Sequence, residues 1–272
     1  MEEEKPTCSL GRCLTDEEIS ALSRQDKSLV STFKAEKLEQ DAKRNWDLFY
    51  KRNSTNFFKD RHWTTREFEE LIKGSSLESN CRKLLEIGCG VGNFIFPLLE
   101  DGGDFFVYAC DISPRAIDFV KANKKYDANK MLAFQADATS KDITNAIECG
   151  TLDIVTLIFV LSSIHPTKHI AVLHNALEVL KPGGILLFRD YGLHDMAQLR
   201  FKPGQKISEN FYVRQDGTRA YYFSIMYLLQ LAKEVGFVIT SCDYIHRRTS
   251  NVKEGLDVPR IFVQAKLSRP IT

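Results

Sequence analysis

The chain has 272 residues, of which 43% are hydrophobic and 27% charged, and its formal net charge is +1. Such proportions suit a globular chain with room for one sizeable α/β domain and a modest extension, and they exclude a globally basic nucleic-acid binder. The longest apolar run, Ile154 to Leu161, is far too short to cross a bilayer, so no membrane partner is expected.

The start, Met1-Glu-Glu-Glu-Lys-Pro6, is acidic and has no apolar stretch. No secretory or mitochondrial leader is expected from it, and the expected location is the cytoplasm, with the nucleus as a further possibility. Residues 1–23 read as a flexible tail in which Thr15-Asp-Glu-Glu18 can cap a short helix. Residues 24–74 read as a helical, basic cap. Positions 24–66 hold eleven Lys/Arg against six Asp/Glu, which offers phosphate contacts, although a solvated helix face is the commoner cause of such a surplus. Val30, Phe33, Leu38, Ala42, Trp46, Phe49 and Tyr50 recur at helical spacing and predict a helix from about 26 to 52. Trp46 and Tyr50, four apart, share one face. Gly74-Ser-Ser76 marks a joint between this cap and the rest of the chain.

Residues 75–272 change rhythm. Strands are predicted at 83–87, 105–110, 131–136, 153–160 and 184–189, and helices at 92–100, 114–124, 141–148 and 167–180. This alternation implies a parallel sheet covered on both faces. A helix near 224–235 and two strands near 237–246 and 259–267 come last, the short link between the strands suiting an antiparallel pair. Within an insertion at 192–224, Gln215-Asp-Gly-Thr218 lies between two β-rich runs and predicts a hairpin. Seven cysteines without a CxxC pair read as reduced, packed thiols, and no metal site is expected.

The most informative motif is Leu84-Leu-Glu-Ile-Gly-Cys-Gly-Val-Gly-Asn-Phe94, where a strand ends, the chain turns on glycines 88, 90 and 92, and a helix begins. Its third glycine comes one residue too early for the dinucleotide fingerprint, which disfavours a dehydrogenase. Alone, the loop is as compatible with a tight structural turn as with function. Asp111 ends the second strand and Asp137 the third, where acids can meet ribose hydroxyls and an adenine amino group, with the Ala138 backbone and Ile158 beside them. Each aspartate alone can simply cap a helix. Their joint placement at the carboxyl ends of successive strands is where open α/β sheets bind ligands.

This set, with Leu180-Lys-Pro-Gly-Gly184, resembles the class I S-adenosylmethionine methyltransferases. The resemblance implies an α/β Rossmann-like fold with a seven-stranded, mostly parallel sheet and, here, an N-terminal helical extension. Further motifs are more specific: Arg44 to Leu71, Leu157-Ile-Phe-Val-Leu-Ser162, Leu187-Phe-Arg-Asp-Tyr-Gly192 and Asn210 to Arg219 look like the tRNA N(3)-methylcytidine methyltransferases. Arg52-Asn-Ser-Thr-Asn-Phe-Phe58 is most similar to the branch that acts on serine tRNAs. The resemblance implies S-adenosylmethionine as cofactor, with S-adenosylhomocysteine as product, and contacts from Trp46, Tyr50, Gly88, Gly90, Asp111, Asp137, Ala138 and Ile158. It also implies a tRNA substrate modified in the anticodon loop and association with seryl-tRNA synthetase; the chain itself is expected to be a monomer.

For the chemistry, Asp190 at the end of the fifth strand is the candidate to stabilise the charge that develops on the base, with a salt bridge to Arg189 or another strand-end contact as its structural alternative. Phe57, Phe58, Arg61 and His62 are expected to frame the flipped base, with Arg61 on phosphate; a place in the core is an equal alternative for Phe57 and Phe58. Arg200, Lys202, Lys206, Arg214 and Arg219, interleaved with Tyr212, Tyr221 and Tyr222, are expected to touch RNA. A small-molecule methyltransferase, or a non-catalytic RNA- or partner-binding module on the same fold, are the competing readings.

Overall fold

The computed structural model describes residues 12–72, 81–251 and 256–271. The strands β1 (Arg82–Ile87), β2 (Phe105–Asp111), β3 (Met131–Gln135), β4 (Leu152–Ile158), β5 (Leu180–Tyr191), β9 (Val238–Asn251) and β10 (Leu256–Ser268) form one sheet in the order β3-β2-β1-β4-β5-β10-β9. The first five run parallel; β10 pairs antiparallel with both β5 and β9. This is the seven-stranded, mostly parallel arrangement expected from the sequence.

Strand alternation divides the core into two layers. On β4, Val155 and Leu157 join one cluster with Leu85, Leu186 and Phe188, whereas Ile154 and Ile158 join the other with Leu84 and Leu187. The first layer is closed by α7 (Asp142–Ala146), α8 (His169–Val179) and α10 (Ile225–Val235). Residues of α5 (Ile95–Glu100) and α6 (Pro114–Ala122) pack into the second, together with Phe68 and Leu71. Burying both faces is what makes the central strands nearly continuous apolar runs.

The N-terminal block departs from the predicted organisation. The short helix expected behind Thr15-Asp-Glu-Glu18 is α1 (Asp16–Asp26), closed by a capping box between Thr15 and Glu18. Its Gln25 is buried and donates to the carbonyls of Gln198 and Phe201, so α1 is docked on the insertion. The helix expected at 26–52 is two helices, α2 (Thr32–Gln40) and α3 (Ala42–Asn53), separated at Asp41, and Phe33 points to solvent at 78% exposure. A short helix, α4 (Thr64–Glu67), comes next. The joint at Gly74-Ser-Ser76 lies outside the described residues.

In the insertion, α9 (Met196–Leu199) precedes a small sheet of β6 (Lys206–Ser208), β7 (Phe211–Val213) and β8 (Arg219–Tyr221). β7 and β8 are the predicted hairpin, and Asp216 fixes its turn by accepting from the Thr218 N–H and hydroxyl at 2.9 and 2.6 Å.

Candidate functional site

At the carboxyl ends of β1, β2, β3 and β4, a cavity of about 490 Å³ opens beneath α3 and the insertion. Its floor is the glycine loop. Gly88 and Gly90 have φ of +68° and +55°, in the region that glycine enters without a Cβ penalty. A Cβ on Gly88 would meet Val160 Cγ2 at 2.5 Å, and one on Gly90 would meet Tyr50 Oη at 2.8 Å. The backbone is therefore bare on the cavity side because neighbours already stand where side chains would be.

Asp111, 7% exposed, ties this floor together. Gly90 N–H donates to its Oδ2 and Ser113 N–H to its Oδ1, both at 2.9 Å. Each oxygen keeps a lone pair for a ligand hydroxyl. Burial pushes the carboxyl up to about 6, against the pull of the Ser113, Gly90 and Ile112 backbone. Asp137 also lines the cavity; its Oδ1 accepts from the Thr139 N–H and hydroxyl at 2.8 Å, and its Oδ2 accepts no bond among the described residues. Ala138 lies beside it, with its carbonyl accepting from Asn175 at 2.9 Å.

The roof comes from α3. Asp47 accepts from Ser113 Oγ at 2.8 Å and from Arg115 N–H at 3.2 Å, docking α3 onto the start of α6. That anchor sets Trp46 and Tyr50, ring centroids 6.2 Å apart, over the glycine loop. Phe49, Phe57 and Phe58 continue the aromatic wall, with Phe57 at 59% exposure by the opening. Sequence periodicity finds the Trp46/Tyr50 face but not the anchoring role of Asp47, which depends on a contact 66 residues away.

Several expectations are corrected. Asp190 is fully buried and does not line the cavity; its carboxylate accepts from Ser162 N–H at 2.8 Å and Tyr191 N–H at 2.9 Å. It thus shapes the cavity wall from behind, and burial raises its pKa to about 6. The Ile158 side chain faces the second core layer instead of the cavity, where Phe159 and Val160 stand in its place. His62 is turned outward, 3.6 Å from Asp101. Arg61 lines the cavity and donates inward to the Ile158 carbonyl at 3.1 Å, 3.9 Å from buried Glu86, whose pKa burial raises well above its ordinary value. Tyr212, Tyr221 and Tyr222 are buried and offer no stacking surface. Lys206 is held by Asp26 at 2.5 Å. Arg219 and Arg214 both line the cavity; Arg219 is 4% exposed and paired with Glu39, and Arg214 lies over the Tyr191 ring. Arg200 and Lys202 are exposed.

The sequence reading missed Phe159, Ser162, Ser163, Lys168 and Tyr191, all of which line the cavity. The available signal was position: 159–163 come directly after β4, at the same sheet edge as Asp111 and Asp137.

The groups present fit an adenosyl sulfonium ligand. The floor is bare backbone, two acids with spare acceptor capacity stand at the ends of β2 and β3, and an aromatic face can attract a cation from above. A seven-stranded sheet of this order with such a cavity defines the class I S-adenosylmethionine-dependent methyltransferase fold. The chain matches the family described as Methyltransferase domain over residues 39–242. It is 56% identical over 259 residues to tRNA N(3)-cytidine methyltransferase METTL6 of Homo sapiens, covering 95% of this chain and 91% of that one. It is 40% identical to tRNA N(3)-methylcytidine methyltransferase trm141 of Schizosaccharomyces pombe, covering 87% and 96%. A solved S-adenosylmethionine-dependent methyltransferase from Anabaena variabilis, 12% identical, shares the fold with a TM-score of 0.60 over 84% of this chain and 94% of that one. The chain belongs to the tRNA N(3)-cytidine methyltransferase family.

Proposed function

We propose that this protein uses S-adenosylmethionine to methylate N(3) of a cytidine in the anticodon loop of serine tRNAs, with seryl-tRNA synthetase as an associated partner. The observation that carries the reading is the cavity itself: a bare glycine floor between Asp111 and Asp137, roofed by Trp46 and Tyr50, in a chain of this family.

When bound, the cofactor supplies an electrophilic methyl group on a sulfonium. Gly88, Gly90, Asp111, Asp137, Ala138, Trp46 and Tyr50 are the residues that would hold it. Cytosine N(3) carries a free lone pair at neutral pH, so no side chain has to remove a proton first. The chain's task is then alignment, which supplies roughly 7–11 kcal/mol in favourable cases. N(3) lies on the Watson–Crick edge, so the base must be unpaired, and an anticodon loop provides such bases. Phe57, Phe58, Phe159 and Tyr191 supply aromatic surface near the opening for a splayed base. Lys43, Arg44, Lys51, Arg52 and Lys59 are exposed on the same N-terminal block and suit an incoming polyanion.

The test is mass spectrometry of tRNA nucleosides after incubation of purified protein with cofactor and total tRNA, with and without seryl-tRNA synthetase. N(3)-methylcytidine should accumulate in serine tRNA, more so with the synthetase. Absence of the modified nucleoside in both arms would remove the reading.

A further inference from the structure

Away from the glycine loop, the cavity wall carries a carboxylate set between two cations. Glu39, near the end of α2, has its Oε1 2.5 Å from Lys168 Nζ and pairs through Oε2 with Arg219 Nη1. All three residues line the cavity. Burial would raise the Glu39 pKa, but the two cations outweigh it and hold the carboxyl below its ordinary value, so it is ionised at neutral pH. One negative charge facing two positive ones leaves the cluster with net positive charge.

Arg219 does not depend on Glu39 for its position. Its Nη2 donates to the Ser163 carbonyl at 3.3 Å, its guanidinium lies 5.3 Å from the Phe211 ring centroid, and its side chain is 5% exposed. Were Glu39 to withdraw, Nη1 would still face the same place. Lys168, with a side chain 46% exposed, can follow an anion over a short distance. A guanidinium fork and an ammonium converging on two oxygens suit phosphate as well as carboxylate.

We propose that Lys168 and Arg219 form a binding site for one backbone phosphate of the substrate RNA, and that Glu39 fills it in the free protein until the RNA displaces it. The site rests on the reading that the substrate is tRNA. The exchange has a consequence for the roof. Glu39 sits two residues before Asp41, where α2 gives way to α3, so its release frees one tie of the N-terminal helices to the insertion. Other ties remain, among them Asn45 Nδ2 donating to the Gly217 carbonyl at 3.1 Å and Gln25 donating to the Gln198 and Phe201 carbonyls.

The experiment is tRNA binding by fluorescence anisotropy between about 50 and about 200 mM KCl, using the full chain as wild type, Glu39→Gln, Lys168→Met and the double variant. Glu39→Gln should bind several-fold more tightly at low salt, because the competing carboxylate is gone. Lys168→Met should bind more weakly, with a salt slope shallower by about one phosphate contact. The gain from Glu39→Gln should shrink in the Lys168→Met background, since both act on one site. No tightening in Glu39→Gln, or a gain that persists in full without Lys168, overturns the proposal. Should Glu39→Gln fail to fold, an unaltered salt slope in Lys168→Met overturns it alone. Wild-type protein that neither binds nor methylates tRNA removes the functional reading, whereas an active wild type with an unresponsive Glu39→Gln removes only this site.

Discussion

The Tyr50 hydroxyl stands where Gly90 has no side chain: a Cβ at position 90 would lie 2.8 Å from Tyr50 Oη. The roof helix and the floor loop are thus fitted to one another. Gly90→Ala must hold a Cβ-bearing residue at φ +55°, which costs roughly 1–2 kcal/mol, and must also displace Tyr50. Cofactor affinity measured by calorimetry should fall at least about tenfold. Affinity equal to wild type would mean that roof and floor move independently.

Asp111 makes cofactor binding depend on pH. Burial lifts its carboxyl from 3.8 to about 6, so the folded protein takes up this proton before the unfolded chain does. Ionised Asp111 therefore costs the fold stability above about pH 6, and that cost is relieved as pH falls towards about 4. Binding through ribose hydroxyls needs the ionised acceptor, so affinity should drop about tenfold per pH unit below about 6. Asp190 is also raised to about 6, but it is not on the cavity wall. Asp111→Asn should accordingly abolish the pH dependence as well as weaken binding. A wild-type affinity that is flat with pH would contradict this assignment.

Asp190 acts through the wall it supports. Asp190→Ala leaves the N–H groups of Ser162 and Tyr191 without their acceptor in a place closed to water, at about 1–3 kcal/mol. Turnover should collapse while cofactor affinity stays nearly intact, because the displaced residues line the base side of the cavity. Asp190→Asn, which keeps an acceptor oxygen, should restore part of kcat. Equal losses of kcat in both variants would argue for the charge itself.

Arg61→Ala tests the pairing that replaces its expected phosphate contact. It removes the donor to the Ile158 carbonyl and the cation 3.9 Å from buried Glu86, whose carboxyl burial pushes well above its ordinary pKa and whose Oε2 already lacks a hydrogen-bond partner. The folded protein should lose about 1–3 kcal/mol, read as a lower Tm in the absence of tRNA. An unchanged Tm with weakened tRNA binding would return Arg61 to a role on RNA.

Gly88, Gly90, Asp111 and Asp137 were legible in the sequence because their meaning is local. Each sits at the carboxyl end of a strand in a pattern of alternating strands and helices, and parallel strands bring those ends to one edge. The hairpin around Asp216-Gly217 was legible for the same reason, as its turn closes on itself.

Where side chains point is another matter. Asp190 and Tyr191 are adjacent on β5, and only one of them can face the cavity; the pairing of β5 with β4 and β10 gives that place to Tyr191. Arg61 turns inward towards Glu86 and the Ile158 carbonyl, and Arg219, held by the Ser163 carbonyl and the Phe211 ring, meets Glu39 from 180 residues away. The amino-acid order thus carries the sheet, its ligand edge and the acids on it, since these arise from short-range periodicity. Which cations are spent on interior partners and which remain for an incoming anion is settled by packing, because a charge finds its partner in space and not along the chain.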